Sequence, residues 1–208
     1  HAAHRAATTN PVPRRRLPEH FLCLLSTFRK MPDRHLAHSI TIDPELIPGA
    51  RNAIRDCLRL QPDERITIIT DEATCEIAAA LQQQVEEVGS EHAVLVLENF
   101  AERPLTGMPR IILDDLNTSQ VSIFCAQTQR GELGSRMQMS EIVNTNHIRH
   151  GHMVNISRQI MLAGMRADFR AIDAHSKILV ERARKSRRIT CRTGAGTDST
   201  DYLSANHS

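Results

Sequence analysis

Residues 146–155, NHIRHGHMVN, place three histidines within six positions: His147, His150 and His152. Imidazole is a common ligand for zinc and related ions. A catalytic zinc needs three protein ligands whose lone pairs converge within about 2.0–2.2 Å of the ion. His150 and His152, two apart, would share one face of a strand, with His147 joining from the preceding turn. No acid close by offers a further ligand or a general base; the nearest are Glu141 and Asp168. Five side chains from His147 to Arg158 are basic or can become so. That arrangement repels a cation unless the imidazoles stay neutral and well held. The cluster therefore reads first as a polar surface or interface segment, and next as a contact for a carboxylate-bearing partner. A metal held by His147, His150 and His152 is the minor alternative.

Other motifs point to chemistry more weakly. TGAGTD, residues 193–198, follows a β-branched run and could wrap backbone N–H groups around a phosphate. No helix is evident after it, so a tight turn is expected instead. Asp114-Asp115 could be a general acid–base pair, but adjacent acids in a helix usually lie on a solvated face. Cys23, Cys57, Cys75, Cys125 and Cys191 are scattered, and no two have C-x-x-C spacing. Single thiols of this kind suit a reduced, cytoplasmic protein and argue against a zinc ribbon or a disulfide framework. Neither a G-x-S-x-G elbow nor an H-E-x-x-H helix is present.

The composition narrows the classes further. Hydrophobic residues make up 40% of the 208, with no Trp and one Tyr, so the core must be aliphatic. Lys and Arg number 26 against 24 Asp and Glu. Nucleic-acid binding rests on an excess of Lys and Arg, so no nucleic-acid partner is expected. The apolar run Phe21–Phe28 is too short to span a membrane, and no membrane association is expected. Residues 1–38 read as a disordered or non-native extension, with organised sequence from 39 to 208.

The elements that must carry these residues alternate. Asp43-Pro44 opens a helix whose apolar face is Ala50, Ile54, Cys57 and Leu58. RITIITD is a strand buried on both faces. DEATCEIAAALQQQVEEVGS is a helix with Ile77, Leu81, Val85 and Val88 as its buried stripe and Gly89 as its C-terminal cap. HAVLVLENF is a second strand, residues 101–110 a loop, RIILDDLNTSQ a short helix, and VSIFCAQ a third strand. GELGSRMQMSEIVNT carries another helix. SRQIMLAGMRADFRAIDAHSKILVERARKS holds two helices, or one bent near Asp168, with Ile172, Ile178, Leu179 and Ala183 as a packing face. RRITCRT is expected to be a fourth buried strand, followed by a glycine-bearing loop to the end. Strand and helix in alternation predict an α/β fold, a mainly parallel sheet of four to five strands with helices on both faces.

The order of segments resembles the aminopeptidase T family, the leucyl-aminopeptidase-like metallopeptidases first known from thermophiles. The resemblance covers roughly residues 45–200. It is carried by Leu60–Leu81, by ELGSRMQMSEIV at Glu132–Val143, by RHGHM at Arg149–Met153, by Met165–Asp168 and by GTD at Gly196–Asp198. It implies an N-terminal α/β domain followed by a domain whose Glu, His, Tyr and Asp side chains hold two divalent ions (zinc, cobalt, manganese or magnesium). Those ions activate water for removal of N-terminal amino acids from peptides. A related branch is an iron-dependent ring-opening dioxygenase acting on a dihydroxypyridine. The family's ligands lie beyond Asp198, so none maps onto this chain. The expectation is an N-terminal portion truncated before the metal-binding domain, inactive alone and binding no metal by itself. On this resemblance Arg149, His150 and His152 face the substrate cleft, a peptide is the substrate of the full-length enzyme, and a homodimer pairs through the second domain. The remaining alternative is a stand-alone α/β module binding a small ligand at the strand ends, near Asp71, Asn99, Gln127 and Thr193.

Overall fold

A computed structural model describes residues 40–203; the expected extension, residues 1–38, lies outside the described residues. Asp43 caps the first helix by accepting from the Glu45 N–H (2.9 Å). A 3-10 turn, Pro44–Leu46, leads into α1 (Ile47–Arg51), which continues as a π-helix over Asn52–Cys57. The other helices are α2 (Cys75–Val88), α3 (Arg110–Leu116), α4 (Leu133–Thr145), α5 (Arg158–Leu162) and α6 (Phe169–Arg184). The strands are β1 (Arg65–Thr70), β2 (Glu91–Val96), β3 (Val121–Cys125), β4 (Arg149–His152), β5 (Arg188–Arg192) and β6 (Asp198–Tyr202).

The first four strands form one parallel sheet in the order β2-β1-β3-β4. Ile68 pairs with Val94 on one side and Ile123 on the other, so this row is β-branched across β2, β1 and β3, as suits buried parallel strands. Side chains alternate across it. Ile66, Ile68, Val94, Val121, Ile123 and Cys125 face α1 and α2. Ile69, Leu95, Phe124 and Ala126 face α3 and α4, through Ile112, Leu116, Met139 and Val143. The chain runs from β1 to β2 on one side and crosses to β3 on the other. The strand order therefore reverses between β1 and β3.

The helix ends follow the expected chemistry. Asp71 and Thr74 form a capping box before α2, and Gly89 closes α2 at φ 85°. Asp168 accepts from the N–H groups of Arg170 and Ala171 to start α6, so the bent segment is two helices. Asn52 Nδ2 donates to the carbonyls of Met165 and Ala167 (2.9 and 3.0 Å), tying the turn before α6 to α1.

Beyond Asp168 the expectations fail on burial. RRITCRT forms a strand, but β5 pairs antiparallel with β6 in a separate two-stranded sheet, and every residue of both strands is exposed. The fourth strand of the parallel sheet is instead β4. The glycine-bearing tail contains β6. The expected packing face of α6 is uncovered: Leu179 is 65% exposed and Ile178 57%. Apolar periodicity reports that a face wants cover; it does not say that these residues cover it.

Candidate functional site

β4 is an edge strand. Its Arg149 N–H donates to the Gln120 carbonyl (3.0 Å), and the Met153 N–H just beyond it donates to the Phe124 carbonyl (2.8 Å). In a parallel ladder, alternate residues bond the same neighbour. The main-chain groups of His150 and His152 therefore point to the open edge.

Their side chains lie on the face shared by Ser122 and Phe124. Ser122 Oγ and His150 Nδ1 are 2.8 Å apart, and His150 Nε2 and His152 Nδ1 are 3.1 Å apart. The two imidazole rings sit 5.3 Å apart, and His152 stacks on Phe124 at 5.8 Å with 17° between planes. Ser122 is fully buried. Burial, with the neighbouring His152 adding, pulls His150 down to a pKa of about 4. Burial and then the Arg136 charge lower His152. Both rings are thus neutral near pH 7.

The other two residues of the cluster are elsewhere. Arg149 is on the opposite face, because strand side chains alternate. Its Nε donates to the Leu58 carbonyl (3.0 Å), and its terminal nitrogens grip Glu64 at 2.8 and 2.5 Å. That guanidinium is occupied on the far side of the sheet, so the structure does not join it to the histidines. His147 ends α4. It has φ 54°, its N–H donates to the Asn144 carbonyl, and the following Ile148 N–H donates to the Val143 carbonyl. This is the paired hydrogen-bond pattern that closes helices, with a histidine where glycine is usual. Buried Ile148 packs in the cluster that holds Val143. Among the described residues His147 shares no hydrogen bond or ring contact with His150 or His152.

In an open parallel sheet a ligand binds beyond the carboxyl ends of the strands, where the order reverses. Here that place, between the ends of β1 and β3, is filled by Arg103. Its guanidinium donates to both Glu132 oxygens (2.8 and 2.6 Å), to Asp71 Oδ2 (2.7 Å), to Glu98 Oε1 (3.2 Å) and to the Gln127 carbonyl (2.5 Å). The side chains of Arg103, Asp71 and Glu132 are 4%, 2% and 3% exposed. Asp71 also accepts from the Gln127 N–H (2.7 Å), and Glu132 from the Leu105 N–H (2.9 Å). The Arg103 hydrogen bonds hold Glu132 at a pKa of about 2, and Glu132, Asp71 and Glu98 together raise that of Arg103. Asp71 and Gln127, two of the four expected strand-end residues, do meet. Asn99 lies in the turn after β2, and Thr193 lies in the β5–β6 turn. The loop expected at 101–110 is a strap pinned across the sheet end by Arg103.

The weaker motifs resolve as structure. TGAGTD is the β5–β6 hairpin turn, with the Thr193 N–H donating to the Thr197 carbonyl (3.0 Å) and the Gly196 N–H to that of Thr193 (3.1 Å). Asp114 is solvated and pairs with Arg110 (2.8 Å). Asp115 is not on a solvated face, because Arg65 binds both its oxygens at 2.6 and 3.2 Å. Burial pushes the Cys125 thiol up to about 12, far from a nucleophile's range. Among the described residues no group of three or more His, Cys, Asp or Glu side chains converges as a metal site. The described residues therefore do not assemble the dinuclear centre that the resemblance implies. No helix among the described residues is long and apolar enough to cross a membrane. No protein-family model matches the chain, and no curated protein sequence matches it.

Proposed function

We propose that the chain is the N-terminal α/β scaffold of a metal-dependent aminopeptidase of the aminopeptidase T kind, which removes N-terminal amino acids from peptides, and that it is inactive alone. The observation carrying this reading is the unit α6–β5–β6. It is a helix and a hairpin with no buried residue, attached to a body with a complete two-sided core. An isolated two-stranded hairpin is marginal in water, so this unit suits packing against further structure. The order of motifs along residues 45–200 supports the same assignment. Cysteines dispersed along the sequence, with no C-x-x-C pair, suit a cytoplasmic setting. A module binding a small ligand at the strand ends is less favoured, because Arg103 fills that crevice.

The test is to read the transcript past codon 208 and assay its product on aminoacyl amides with zinc, cobalt, manganese or magnesium. The expected outcome is an open frame supplying Glu, His, Tyr and Asp ligands, with peptidase turnover that residues 1–208 alone lack. A stop codon at that point, and no turnover from any product of the locus, overturns the proposal. Ring opening of a dihydroxypyridine with iron would assign the related dioxygenase branch instead.

A further inference from the structure

We infer that His150 and His152 form a two-ligand site for a divalent transition ion of the zinc or copper class, on the open edge of the sheet. This goes against the expectation that the chain by itself holds no metal, and it does not depend on the peptidase reading.

The geometry comes from three features. First, His150 Nε2 and His152 Nδ1 face each other at 3.1 Å. Two nitrogens bound to one tetrahedral ion at about 2.0–2.1 Å stand about 3.3 Å apart, so the spacing suits one ion, which replaces the bridging hydrogen bond once its proton moves from His152 Nδ1 to Nε2 and both lone pairs turn toward the ion. Second, the outer contacts are those that orient metal-binding imidazoles. Ser122 Oγ, 2.8 Å from His150 Nδ1, is placed to accept a hydrogen bond from Nδ1–H, the tautomer that leaves Nε2 with its lone pair. Phe124 holds the plane of the His152 ring by stacking. Third, the pair lies on an edge strand, where waters can complete the coordination shell. Imidazole in pairs suits zinc, copper(II) and nickel better than magnesium or calcium. With two protein ligands and no converging carboxylate, this is a binding site and not a hydrolytic centre.

One neighbour opposes the ion. Arg136 is close enough for its charge to act on His152, and its buried Nε has no hydrogen-bond partner. Its positive charge weakens the site, so removing it tightens binding.

The test uses the full chain with Cys57 and Cys191, both exposed, changed to serine so that these two thiols do not compete for zinc. Imidazole nitrogen NMR during addition of zinc chloride is expected to move the His150 and His152 ring signals together, while those of His147 stay in place. In calorimetric titration H150Q and H152Q each weaken this binding at least tenfold, H147Q leaves it unchanged, and R136Q tightens it severalfold. If the His150 and His152 signals stay put when zinc is in excess, or if H147Q weakens binding as much as H150Q, the inference is overturned. Should the glutamine variants fail to fold, the NMR titration of the chain with its histidines intact decides alone.

Discussion

At the scale of single residues, Arg103 is the side chain on which the sheet's carboxyl end depends. Replacing it with Met would leave Asp71 and Glu132 buried without their cation. Breaking a buried pair in this way costs about 3–5 kcal/mol, so R103M should lower the stability measured by urea unfolding by that order. A loss under 1 kcal/mol would show that the network is not a determinant of the fold. Glu132 makes the dependence on acid specific. Its folded-state pKa of about 2 lies below the ordinary value of 4.5. Its stabilisation is complete above the ordinary value and is lost as pH falls from there toward about 2. E132Q should therefore be less stable at pH 7 and should unfold with a flatter pH dependence between about 4.5 and 2. Equal slopes for E132Q and the unsubstituted chain in that window would assign acid sensitivity to other groups. Asp71 and Gln127 were legible as strand-end residues, but the charge network that joins them to Arg103 and Glu132 was not. Its members are spread from Asp71 to Glu132, on separate turns and loops, and no local period connects them. The histidine pair was legible, because two residues on a strand share a face. The same period places Arg149 across the sheet, which the cluster's composition concealed.

At the scale of elements, two glycines test how tightly the helices pack. Gly49 in α1 lies where a Cβ would meet the Met161 carbonyl at 2.7 Å and Met165 Cβ at 3.1 Å. Both contacts belong to the α5 region, and one is main chain, which cannot swing aside. G49A should cost about 1–3 kcal/mol by overpacking, outweighing the gain of at most about 1 kcal/mol from better helix propensity. Gly134, in the first turn of α4, has nothing within 4 Å of its Cβ position. There only the propensity remains, and G134A should stabilise by about 0.5 kcal/mol. Thermal melting of the two variants should shift in opposite directions. A shift of both in the same direction would contradict the close crossing of α1 and α5. Element types were readable because caps, turns and apolar periods are local: Asp43, Asp71, Gly89 and Asp168 all stand at the boundaries their chemistry favours. Partner choice was not readable. RITIITD and RRITCRT look alike as short β-branched runs. One lies at the centre of the sheet; the other pairs only with β6 in an exposed hairpin.

At the scale of the whole molecule, stability is divided unevenly. Residues from Ile40 to Met165 supply both core clusters. The unit α6–β5–β6 contributes no buried side chain; its ties to the body include the Arg170–Asp56 ion pair (3.2 Å), with Arg170 88% exposed. Exposed ion pairs of this kind contribute about 0–1 kcal/mol. Segments with few buried apolar contacts open locally at little cost, while core strands open only with the whole fold. Native-state hydrogen exchange should therefore separate the two. Amides of β1 and β3 should exchange at the global unfolding limit, at least about a hundredfold more slowly than those of β5, β6 and the second half of α6. A polypeptide that covers Ile178, Leu179 and Val180 should slow the α6 amides without changing those of β1. If the hairpin is as protected as the central sheet in the free chain, its apolar face is already covered. The proposal that it awaits further structure would then lose its main support.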